Sequence, residues 1–433
     1  MPGIVAGALV AHPPVLVPEV GGERAAEVRA THSAMERLDR VLSLNRAELV
    51  ILISPHSPSS IESIPVRNSS RVAGDLGRFS APQVRVVVDV DIDASENLVR
   101  DAGSQGFALT WSDDWNLDHG IVVPLYLLPR TRAARRFIFL GISGWPLDRF
   151  RDFGAFLHRQ LGSREAILIA SGDLSHRLTE AAPYGFRPEG QVLDRRVIEA
   201  LRTQQWDQIE RLDPELVEEA GECGLRPLSL LLGAARAAGL RSEVFSYEGP
   251  FGVGYPVAYF GDGDQVGDVQ SIGRNAIETY LRERRVIDPP GQIPPDLEQP
   301  SAAFVTLRKH GELRGCMGSV VATEPNAARE IIRFAIASAT RDPRFNPVEL
   351  DEVPELTVSA QLLDPPEPVA SMADLDPAIY GVIARSGDRH ALLLPGIEGI
   401  DTVADQIAAV CEKAGINQLG PLRLERFRTR TVK

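Results

Sequence analysis

Cysteine is scarce. The 433 residues carry three, Cys223, Cys316 and Cys411, widely spaced and odd in number. That excludes a disulfide framework and points to a reducing compartment. No CxxC pair occurs, so zinc-ribbon spacing is excluded as well. Long apolar runs are missing, and none approaches the roughly 20 residues that span a bilayer. The N-terminus has no charged leader, and its apolar run stops at His12-Pro13-Pro14, so it does not read as a signal peptide. A cytoplasmic protein without a membrane role is expected. Lys and Arg form no cluster, and a net charge of -13 argues against a nucleic-acid partner. Histidine is the last scarcity, with eight in the chain.

What is present is ordinary globular material, 44% hydrophobic and 24% charged, long enough for two or three domains. Strand and helix patterns alternate from residue 4 to about 180. Buried strands are expected over 4–10, 49–53, 136–141 and 166–170, with a half-exposed strand over 84–92. Helices are expected over 22–45, 94–103, 147–161, 189–212 and 225–238, and closing strands over 242–246 and 253–260. The pattern predicts an α/β domain with a mostly parallel or mixed sheet.

The stretch Ser171-Gly172-Asp173-Leu174-Ser175-His176 follows one of these strands, and Gly172 breaks it. His176 then lies beyond a strand's carboxyl end, where open α/β sheets bind ligands. His12, His56 and His119 occupy similar places, each in a loop at the edge of a predicted strand; His119 precedes the apolar run Ile121 to Leu128. A lone loop histidine is usually a cap or a surface residue, but four in one domain suggest one site. Two neutral imidazoles plus a carboxylate suit a non-haem Fe(II) oxygenase or, without redox chemistry, a zinc hydrolase. Glu222 and Glu248 are the candidate acids, and periodicity does not choose between them. Asp118 and Asp173 are placed to orient His119 and His176, although Asp173 could equally cap its turn.

His12-Pro13-Pro14, Ser54-Pro55-His56, Asp118-His119-Gly120 and the Ser171–His176 stretch together resemble the class III extradiol dioxygenase family (LigB-like), whose fold the Memo proteins share. The resemblance covers residues 1–262. It implies that His12, His56 and Glu222 hold Fe(II), that His176 is the catalytic acid/base, and that His119 lines the pocket of a small, possibly phenolic, substrate. Cys223-Gly224-Leu225-Arg226-Pro227 is similar to the Memo version, in which a cysteine joins the histidines. A thiolate there would favour Zn or Cu and a metal-binding or scaffolding role without ring opening.

The last third begins after the acidic stretch Gly261-Asp262-Gly263-Asp264 and contains a proline-rich loop over 289–300. Ala303 to Leu307, Leu313-Arg314-Gly315-Cys316-Met317-Gly318, Asp342-Pro343-Arg344-Phe345 and Leu392-Leu393-Leu394-Pro395 resemble the AMMECR domain family over 266–433, implying an α+β domain. Cys316 beside Arg314 is a candidate thiolate; the alternative is a buried residue in a glycine-tight turn. Arg314, Arg344 and Asp342 could bind an acidic ligand or form ion pairs. The fusion resembles the AmmeMemoRadiSam system, whose name implies a radical-SAM partner protein. The related dioxygenase fold often forms dimers, so a homodimer is one expectation.

Overall fold

The structure is a computed structural model that describes residues 3–113, 116–261, 268–290, 293–387, 389–397, 399–416 and 422–432. Asp262 to Asp264 of the expected linker, Gly291 and Gln292 of the proline-rich loop, and Asp388 of an expected turn lie outside the described residues. The chain divides into two units, Met1–Gly263 and Asp264–Lys433.

In the first unit, Leu49–Ile53 is an unbroken aliphatic run and is fully buried, as are most residues of Gly3–Val10 and Glu165–Ser171. Such runs suit strands covered on both faces. They lie side by side in an eight-stranded mixed sheet. Its order is Arg241–Glu248, Tyr255–Gly261, Gly3–Val10, Glu165–Ser171, Leu49–Ile53, Arg136–Leu140, Ile64–Arg67, Leu109–Ser112. The four from Gly3–Val10 to Arg136–Leu140 are mutually parallel. Tyr255–Gly261 runs antiparallel to Gly3–Val10. Parallel neighbours put their carboxyl ends on one edge of the sheet, so the loops that follow residues 10, 53 and 171 share that edge.

Helices Leu147–Gln160 and Leu225–Ala238 pack closely together beneath the sheet. Gly154 and Gly233 permit this: a Cβ at Gly154 would stand 1.9 Å from Leu230 O, and one at Gly233 1.9 Å from Arg151 O. Phe150, Phe153 and Leu157 fill the space between the helices and the sheet.

A separate hairpin, Arg71–Leu76 with Ala81–Asp89, buries alternate residues Val84, Val86 and Val88. The expected 84–92 strand is its second arm. The expected strand edge at Ile121–Leu128 is instead a helix, His119–Leu127, containing Pro124. The run is apolar all round, so periodicity could not separate buried strand from buried helix. The expected 189–212 helix breaks into Pro188–Arg202 and Asp207–Glu210, with Gln204 at φ +61° between them.

The second unit holds two four-stranded sheets. One has the order Glu312–Gly318, Ala302–Lys309, Leu356–Leu363, Thr429–Val432, and helices Val269–Glu283 and Ala327–Thr340 cover it. The other has the order Glu367–Pro368, Arg423–Phe427, Gly381–Ser386, Arg389–Leu393, and Val403–Ala414 covers it. No helix among the described residues is long and apolar enough to cross a membrane.

Candidate metal centre

His12 follows the first strand and is 1% exposed. Its backbone N–H donates to Asp173 Oδ1 at 3.0 Å, which ties the first loop to the one after Ser171. His12 Nδ1 lies 2.9 Å from Ser171 Oγ. The Ser171 hydroxyl spends its proton on Gly120 C=O, so Ser171 Oγ accepts from Nδ1–H. That fixes the His12 tautomer and leaves the Nε2 lone pair free.

Nε2 points at His56 Nε2, 3.0 Å away. Two nitrogens at that spacing can share one ion with bonds of about 2.0–2.1 Å. His56 is carried by the Ser54–Ser57 loop. Asp118 holds that loop, with Oδ1 accepting from Ser54 Oγ at 2.9 Å and Oδ2 from Ser57 Oγ at 2.6 Å. The next residue, His119, is the first of its helix, and its ring centre lies 4.3 Å from that of His56. The donor atoms of His12, His56 and His119 all fall within 4.8 Å of one another.

Burial depresses the pKa of all three imidazoles; for His119 it falls to about 4, with the His56 charge adding to the effect. Neutral, converging and mutually repulsive once protonated, these rings fit a metal ion.

The other expected site residues fall as follows. Glu222 does not open its helix. It sits in the turn before Leu225–Ala238, and its carboxylate accepts from Leu225 N–H. Burial pushes it up to about 7. Its carboxylate therefore caps a helix instead of joining the histidines, and His119 stands in the place expected of it. Glu248 ends a strand and accepts from Thr31 N–H at 2.7 Å and Thr31 Oγ at 2.6 Å, which occupies it elsewhere. Asp173 serves His12, not His176, and Asp118 serves the His56 loop, not the His119 ring. Cys223 does reach the cluster, with Sγ 3.8 Å from His12 Nε2 and accepting from Asp173 N–H at 3.3 Å. Gly172 and Gly224 allow it: a Cβ at Gly172 would stand 2.3 Å from Gly224 Cα. Burial holds the Cys223 thiol well above its ordinary pKa.

His176 lies within electrostatic range of His12 and His56. Its Nδ1 is buried with no hydrogen-bond partner among the described residues. Its ring faces Tyr184, centre to centre 5.7 Å.

In the second unit, the Arg314 guanidinium is engaged by a carboxylate. It is bidentate to Glu352, at 3.1 and 2.8 Å, and also donates to Asn346 O. Arg344 pairs with Asp342 at 2.7 Å, and Asp342 also accepts from Cys316 N–H. Cys316 Sγ accepts from the Thr306 hydroxyl at 3.3 Å, and the Arg344 guanidinium also reaches Cys316. Both arginines are engaged in ion pairs, Arg314 with Glu352 and Arg344 with Asp342.

Ser54 and Ser171 lie in the motifs given above and Ser57 directly follows one, but sequence reasoning does not mark any of them as supports of the site. Serines flanking a loop histidine are the signal that was available. Replacing Ser171 with alanine should weaken metal affinity by about 10–100-fold, because the His12 tautomer is no longer fixed; a chelator competition titration reads this directly.

Acid should act on the metal-free protein through the same burial. His119 takes its proton in the unfolded chain near its usual 6.5 but in the folded chain only at about 4. Its contribution to stability is therefore lost as pH falls across that window. Asp173, pushed up to about 7 by burial, acts in the opposite sense, and its contribution declines as pH rises from about 4 to 7. His119→Gln should flatten the fall in Tm between pH 6.5 and 4, and Asp173→Asn should steepen the net fall, both read by thermal melts across that range.

A sheet whose parallel strands bring converging imidazoles to one edge, with His12 buried, His119 half-buried and His56 exposed, defines an α/β protein with a site able to hold a metal. The chain belongs to the family described as the catalytic LigB subunit of aromatic ring-opening dioxygenase, which it matches over residues 6–258. Residues 270–432 match the AMMECR1 family. A protein of Clostridium acetobutylicum is 30% identical over 454 residues, covering 97% of each chain, so it shares both units. A Thermotoga maritima protein is 50% identical over 142 residues, 32% of this chain and 82% of its own. A Thermococcus gammatolerans protein is 37% identical over 158 residues, 34% of this chain and 76% of its own.

Proposed function

We propose that the first unit is a metal-dependent oxygenase acting on a catechol-type or related phenolic small molecule. The convergence of His12, His56 and His119 at the sheet edge, in a chain of the LigB family, carries this reading. His12 and His56 would hold the ion, with His119 a third donor. Bound there, Fe(II) would supply Lewis acidity and the electrons for dioxygen chemistry. Ser171 and Asp173 hold His12 in place, and Asp118 holds the loop of His56. His176 stays neutral near pH 7 because burial lowers its pKa. A neutral imidazole there could take a proton from a phenol and return it later, as a general acid/base requires.

The Cys223 thiol 3.8 Å from His12 Nε2 favours a second reading, a Zn or Cu centre with binding but no ring opening. Oxygen uptake by the iron-loaded protein across a catechol panel separates the two. Uptake that disappears in His176→Ala supports the oxygenase. No uptake with any catechol, together with zinc or copper in the purified protein, supports the second reading.

A further inference from the structure

A cavity of about 850 Å³ opens beside the metal centre, with His56 and His119 in its wall. That volume suits a small molecule. The Arg71–Leu76/Ala81–Asp89 hairpin builds the facing wall and supplies Arg78, Phe79 and Arg85. Phe79 lies edge-on to His119, ring centres 5.4 Å apart, and keeps 37% of its surface exposed.

The wall carries two guanidiniums and two carboxylates, but they do not pair with one another. Its two carboxylates are already engaged: Asp118 by the hydroxyls of Ser54 and Ser57, and Asp75 by Gly77 N–H at 2.8 Å. Asp75 stands opposite Arg85 in the strand register, yet the two form no ion pair. Neither Arg78 nor Arg85 has a hydrogen-bond or ion-pair partner among the described residues. Two guanidiniums left unpaired in a cavity wall are available to an anion from outside the protein. Guanidinium is the group best matched to a carboxylate or phosphate.

We propose that this cavity is an anion-recognition pocket, in which Arg78 and Arg85 hold the carboxylate or phosphate of a small molecule while its ring lies against Phe79 and faces His119. Calling that molecule a substrate rests on the oxygenase reading; the anion preference does not.

The test is calorimetric titration of the full chain, metal-free and zinc-loaded, with benzoate, phenyl phosphate and neutral benzyl alcohol. An anionic probe should bind about ten-fold tighter than benzyl alcohol even in the metal-free protein, since charge-assisted hydrogen bonds are the strong ones. The preference should fall below about two-fold in Arg78→Ala/Arg85→Ala. It should move towards benzylamine in Arg78→Glu/Arg85→Glu, a second variant that keeps the wall polar. Preference for benzoate assigns a carboxylate ligand, and preference for phenyl phosphate a phosphate. Equal binding of all probes, no binding of any, or a preference that survives in the alanine pair overturns the proposal. Metal content and oxygen uptake are read separately. A protein that prefers anions but takes up no oxygen retains the pocket and loses only the oxygenase.

Discussion

His12→Ala and His56→Ala, each purified anaerobically, should carry metal only at background level by elemental analysis, against about one ion per chain in the unaltered protein. Both Nε2 atoms point at the same spot 3.0 Å apart, and the other potential donors near His12 Nε2, Cys223 Sγ and Asp173 Oδ2, stand farther off at 3.8 Å. His119→Ala should fall as far, because its donor atom completes the cluster. Glu222→Gln should keep its metal, since the amide oxygen can still cap Leu225. Cys223→Ser separates the two readings: metal lost there places the thiolate among the ligands and favours zinc or copper. Iron lost in His12→Ala but kept in Cys223→Ser favours the oxygenase. Metal retained in His12→Ala would remove the centre altogether.

The second large effect is structural. Gly233→Val should destabilise the first unit by about 3 kcal/mol or more, the upper range for overpacking a core. The new side chain would start 1.9 Å from Arg151 O, a backbone atom that cannot swing aside. Helices Leu147–Gln160 and Leu225–Ala238 would have to separate, and the loop carrying Cys223 would move with the second of them. Gly103→Ala is the control. Its helix runs Ile92–Ser104, and nothing lies within 4 Å of the added methyl. It should be neutral, or stabilising by up to about 1 kcal/mol. Urea unfolding of both variants checks the pair; similar midpoints would mean that the two helices relax apart at little cost.

The sheet was legible because its central strands are aliphatic runs ended by glycine, proline or histidine. Leu49 to Ile53 can hardly be anything else. The positions of His12, His56 and His176 followed from those strand ends. The identity of the third donor did not. Glu222 and Cys223 are neighbours, and which one faces the histidines depends on the backbone contact between Gly172 and Gly224, distant in sequence. His119 was visible, but its helix was not, because Ile121 to Leu125 is apolar on every side. The hairpin tip with Arg78 and Phe79 left little trace, since half of each arm faces solvent and the turn at Ser80 adopts a left-handed conformation without glycine.

The imidazoles arrive from loops far apart in the chain. His12 and His56 are separated by 44 positions, and His12 and its orienting Ser171 by 159. No two neighbouring turns can prepare this centre, so it exists only once the parallel strands have closed side by side. An ion bound there gains nothing from a half-folded chain. It should leave the rate of folding almost untouched and act on the rate of unfolding, since its contacts are absent from the barrier and present only in the finished sheet. A metal bound there would then be a lock added last, and its removal would shorten the lifetime of the folded state without hindering the route by which that state is reached.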